Sequence, residues 1–71
     1  MHFDWVGAAS IFVTTDANGV WIKANRDGLR SLSNFLATLA EEDGRGPHFH
    51  LADYLGLEEG SLELLVELVG C

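Results

Sequence analysis

Lysine and arginine are scarce in this chain. Lys23, Arg26, Arg30 and Arg45 stand against eleven Asp and Glu in 71 residues, a net charge of −7. So few cations cannot neutralise a run of phosphates, which argues against direct nucleic-acid binding. The same charge repels anionic membrane surfaces. Cysteine is rarer still. Cys71 stands alone, so no intrachain disulfide can form and nothing calls for an oxidising compartment. No stretch approaches the ~20 apolar residues of a membrane-spanning helix. The opening Met1-His2-Phe3-Asp4-Trp5 lacks the basic start and unbroken apolar run of a signal peptide. A soluble, cytoplasmic protein is the expectation.

Catalytic groupings are missing too. Ser10, Ser31, Ser33 and Ser61 have no nucleophile-elbow context. Glu63 and Glu67, if on a strand, stand ~13 Å apart, which makes a charged stripe rather than an acid–base pair. The glycines are scattered singly and form no phosphate loop. The chain is therefore not expected to be an enzyme.

What is present is a foldable, acidic surface. The acids Asp4, Asp16, Asp27, Glu41, Glu42, Asp43, Asp53, Glu58, Glu59, Glu63 and Glu67 spread along the chain instead of gathering in a tail. Apolar residues make up 48%, too many for disorder. Residues 1–71 are read as one domain. A chain this short buries only ~60–65% of its unfolded surface. Binding on the outside is then more natural than an enclosed pocket, and a homodimer would bury further area.

Two runs, Ser10–Thr15 and Val20–Ala24, are rich in β-branched and aromatic residues and flank Asp16-Ala17-Asn18-Gly19. Asn-Gly suits a two-residue hairpin turn. With Asn18 and Gly19 in that turn, Ala17 faces Val20, Thr15 faces Ile22 and Val13 faces Ala24. One side then carries Ile11, Val13, Thr15, Val20, Ile22 and Ala24 and reads as core. The other carries Phe12, Thr14, Asp16, Trp21 and Lys23. From Arg26 the period becomes helical, with Leu29, Leu32, Phe35, Leu36, Leu39 and Ala40 on one stripe and Arg30, Ser31, Ser33, Asn34 and Thr38 opposite. Asn25 or Asp27 serves as N-cap. The helix ends near residues 41–43, before Gly44-Arg45-Gly46-Pro47.

His48-Phe49-His50-Leu51 alternates as a third strand. Residues 61–70 alternate for longer, with Leu62, Leu64, Val66 and Leu68 on one face and Glu63, Leu65, Glu67 and Val69 on the other. A strand is preferred over a helix there because the third strand needs a partner. Residues 52–60 connect them, with room for one helical turn. Residues 1–9 either extend the first strand, bending at Gly7-Ala8-Ala9, or fold over the open sheet face and bury Trp21 under Phe3 and Trp5. The fold class is α+β, two layers, in the order β-β-α-β-β. A four-stranded, mostly antiparallel sheet has one helix packed on one face. Leu32, Leu36 and Leu39 should meet Val13, Ile22, Phe49, Leu64 and Val66.

Two candidate sites follow. His48 and His50 point the same way from a strand, ~6.5–7 Å apart. They could supply two metal ligands, with Asp53, His2 or a sheet carboxylate as third. Without a clear third ligand, no metal or other cofactor is expected. The open sheet face would instead gather Phe12, Trp21, His48, His50, Glu63 and Glu67. Aromatic anchors among polar groups suit a protein interface, and the charge suits a basic partner.

The run A-N-R-D-G-L-R-S-L-S-N-F-L-A-T-L-A, then G-P-H-F-H-L, then S-L-E-L-L-V-E-L-V, resembles a family of small immunity proteins of bacterial polymorphic toxin systems, family thirty-two. The resemblance spans residues 10–69. It centres on Asp27-Gly28-Leu29, His48-x-His50-Leu51 and the segment led by Ser61. It implies a non-enzymatic, cytoplasmic antidote that binds a cognate toxin and blocks its active site or folding. His48 and His50 match the family's histidine strand. Two other readings stay open: a phage- or plasmid-encoded inhibitor of a host defence nuclease that imitates nucleic-acid charge, and a small metal-binding protein using His48 and His50.

Overall fold

A computed structural model describes residues 3–44 and 46–69. His2 and Cys71, named above for metal binding and redox state, lie outside these residues, as does Arg45. The element order is β1 (Ile11–Asp16), β2 (Gly19–Ala24), α1 (Arg26–Ala40), β3 (His48–Leu51) and β4 (Leu64–Glu67). The expected β-β-α-β-β order and α+β class hold. The single four-stranded sheet does not: β1 pairs with β2 and β3 with β4, giving two antiparallel two-stranded sheets.

The reason lies on the outer edge of β1. Ile11 C=O accepts from Glu58 N–H at 2.8 Å, Val13 C=O accepts from Leu62 N–H at 2.8 Å, and Val13 N–H donates to Ser61 Oγ at 3.2 Å. Residues 58–62 thus occupy the edge that a neighbouring strand would need. Four positions of that segment match only two of β1, because a turn closed by Ser61 N–H and Glu58 C=O takes up the difference. The chain then swings away and pairs regularly with β3 only from Leu64 to Glu67. The fourth strand is therefore shorter than residues 61–70.

The hairpin register also differs from expectation. Asp16 pairs with Gly19, Thr15 with Val20, Val13 with Ile22 and Ile11 with Ala24. Ala17 and Asn18 form the turn. Asp16 Oδ1 accepts from the amides of Asn18 (2.7 Å) and Gly19 (3.2 Å), an Asx turn that holds the bend one residue earlier. No residue other than glycine has positive φ among those described, and Gly19 takes φ +143° as the first residue of β2. The slip of two residues preserves which side chains share a face.

Helix α1 starts at the Asn25 cap, whose Oδ1 accepts from Gly28 N–H at 2.7 Å. Asn25 also binds the approaching chain. Its backbone donates to Ser10 C=O, its Oδ1 accepts from Ser10 N–H and its Nδ2 donates to Ala8 C=O. Residues 3–9 run beside the helix. Val6 N–H donates to Ser31 Oγ at 2.8 Å, Ala8 N–H to Asp27 Oδ2 at 3.2 Å, and Asn34 Nδ2 to Asp4 C=O at 3.3 Å. Phe3 and Trp5 pack edge-on against Phe35, and Phe3 also against Phe49. They cover the helix side of the molecule. Trp21 stays 46% exposed, so neither expectation for residues 1–9 holds.

The core joins Ile11 and Val13 of β1, Leu32, Phe35 and Leu39 of α1, Phe49 and Leu51 of β3, and Leu57, with Leu64, Val66 and Leu68 packed against it. Leu36 is not part of it: it is 45% exposed, and Leu29, Val20 and Ile22 are exposed as well. The helix is rotated so that Ser31, expected on the polar side, is fully buried. The Val6 amide satisfies its hydroxyl, which makes that burial tolerable. The 52–60 connection carries no helical turn. Paired backbone bonds between Ala52 and Leu55, and Leu57 N–H to Ala52 C=O, fold it into a tight reversal.

Candidate functional site

Six residues were expected on one open face, and the structure groups four of them on the second hairpin. His48 stands opposite Glu67 in the β3–β4 register, and His50 opposite Leu65. His50 Nε2 lies 3.2 Å from Glu63 Oε2, near enough for an ion pair. The approach lacks hydrogen-bond geometry, so Nε2 has no such partner among the described residues. His48 Nδ1 is 3.0 Å from Gly46 C=O. Tyr54 lies edge-on to His50 with ring centroids 6.3 Å apart.

Phe12 and Trp21 sit on the other hairpin. Trp21 Nε1 donates to Asp16 Oδ2 at 2.6 Å, which fixes an exposed indole beside the turn. Phe12 is half-buried. The hairpins thus present two clusters in place of one continuous sheet face.

Among the described residues, no three His, Cys, Asp or Glu side chains come together as a metal-binding group. Glu63 approaches His50 alone.

Sequence reasoning missed a groove. Phe3, Trp5, Phe35, Phe49, Leu51, Leu55 and Gly56 line it together with His48 and His50, around an open volume of about 490 Å³. Phe3 and Trp5 are noticeable in the sequence, but only the tie of residues 3–9 to α1 brings them here. Tyr54 and Leu55, both exposed, gave no periodic signal because they sit in a tight reversal.

Charge divides unevenly between the halves. Residues 46–69 hold Asp53, Glu58, Glu59, Glu63 and Glu67 and no Lys or Arg. The bases Lys23, Arg26 and Arg30 fall in β2 and the first turns of α1. The β3–β4 hairpin therefore belongs to the more negative half, and the groove lies between it and Phe3, Trp5 and Phe35.

Fold and surface together define a small acidic α+β protein whose aromatic and carboxylate groups stand on open hairpin faces. The chain belongs to the immunity protein 32 family, whose model matches residues 20–69. No curated protein and no solved structure matches it.

Proposed function

We propose that this chain is a bacterial immunity protein that neutralises a cognate toxin by binding it directly, without catalysis. The family match over residues 20–69 carries this reading. Proteins of such families are generally non-enzymatic. The excess of eleven acids over four bases supports a basic partner. Phe12 and Trp21 on one hairpin, and His48, His50, Glu63 and Glu67 on the other, are the residues proposed to meet it. The aromatic anchors, of which Trp21 is the exposed one, supply burial, and the carboxylates supply attraction. No described helix is long and apolar enough to cross a membrane. The proposed place of action is the cytoplasm, on a toxin made in the same cell.

The test is co-expression with a candidate toxin domain, sought among the products of the adjacent genes. The chain should restore growth and co-purify with that domain in a defined stoichiometric complex. Growth arrest despite well-folded chain, with no complex on size exclusion, would refute the reading.

A further inference from the structure

We propose that the free edge of β3 takes up an extended cationic segment of the partner protein as an added strand, its apolar side chains entering the aromatic groove. The inference rests on the partner-binding reading above and adds the place and the chemistry of contact.

The backbone supplies the first argument. Leu68 N–H donates to Pro47 C=O at 2.8 Å, directly ahead of the β3–β4 ladder. In antiparallel pairing, hydrogen-bonded pairs alternate with non-bonded ones. With the register Phe49–Val66 and Leu51–Leu64, Phe49 and Leu51 direct their amides and carbonyls to β4. His48 and His50 direct theirs to the opposite edge. Among the described residues β3 has no second strand neighbour. Such an edge is a template for strand addition.

The groove supplies the second argument. It borders this edge, since His48 and His50 line it beside Phe3, Trp5, Phe35 and Leu55. A strand laid along β3 would send every other side chain to the side of Phe49 and Leu51, where the groove lies. The intervening ones would share the face of His48, His50, Glu63 and Glu67.

Charge selects the occupant. A second copy would bring −7 against −7, whereas Lys or Arg on the outward positions would share the face of Glu63 and Glu67. The segment that fits alternates cationic and apolar residues.

The probe is a short peptide of alternating lysine and valine, added to the isotope-labelled full chain and followed by amide exchange in NMR. Exchange at His48 and His50 should slow at least about tenfold on saturation. The backbone N-methylated peptide, which lacks ladder donors, and an alternating glutamate–valine peptide should not bind. Leu55→Arg places a positive charge on an exposed part of the groove wall. It should weaken the lysine peptide at least about tenfold with an unchanged thermal midpoint. The N-methylated control needs no substitution, so it decides the matter even if that variant misfolds. Equal binding of the methylated peptide, no binding of the lysine peptide, or protection confined to β2 would overturn the proposal. The toxin domain separates the two levels. Tight binding that leaves exchange at His48 and His50 unchanged overturns the added strand and leaves the immunity reading standing. Absence of any binding removes that reading and with it this occupant.

Discussion

Neighbouring residues on α1 have opposite fates. Phe35 is 1% exposed and touches Phe3, Trp5 and Phe49 edge-on, while Leu36 faces outward. Phe35→Ala should cost ~3–5 kcal/mol and Leu36→Ala no more than ~1 kcal/mol, read from denaturant midpoints. Comparable losses would mean the helix is rotated from the position described. Gly28 matters for space: a Cβ there would press on the Ser10 carbonyl and crowd Ala24. Gly28→Ala should therefore destabilise by ~1–3 kcal/mol, although alanine favours helix elsewhere. Ser31→Ala should cost ~1–3 kcal/mol, because the Val6 amide loses its acceptor. Thermal unfolding of both variants checks these. A more stable Gly28→Ala would contradict the close approach of residues 8–10 to the helix.

At the scale of elements, five segments were legible because each has its own period. Alternation marks β1, β2, β3 and β4, and the change to 3.6 marks α1. Which side of α1 is buried was not legible. The apolar stripe spans Leu29 to Ala40 broadly enough to permit two rotations. The choice depends on a hydrogen bond between Ser31 and an amide 25 positions away. The break into two sheets was equally hidden, since it depends on Glu58 and Leu62 donating to β1. The candidate site shared this fate: the His-x-His strand was readable, but the groove needs Phe3 and Trp5 delivered from the other end of the chain. Native-state exchange tests the arrangement. The Glu58 and Leu62 amides should be protected although they lie outside any strand, and those of His48 and His50 should exchange fast in the free protein. Leu62→Pro should cost ~1–3 kcal/mol by removing one donor to β1. Fast exchange at Glu58 and Leu62 would instead favour an unattached connection.

For the whole molecule, the property that bears on partner choice is a net charge of −7, with five of the eleven acids in residues 46–69, where no Lys or Arg stands. Long-range attraction acts on encounter, and packed contacts act on dissociation. Reversing Glu63 and Glu67 should lower the association rate, while Trp21→Ala should mainly raise the dissociation rate. The most direct test of the account is the association rate of the chain with the proposed toxin partner, followed by stopped flow from low to high salt. Screening shortens the Debye length from ~10 Å at 0.1 M to ~3 Å at 1 M, so the rate should fall by about an order of magnitude or more. A rate indifferent to salt, with the Glu63 and Glu67 reversal behaving as the parent chain, would contradict charge-driven recognition of a basic partner.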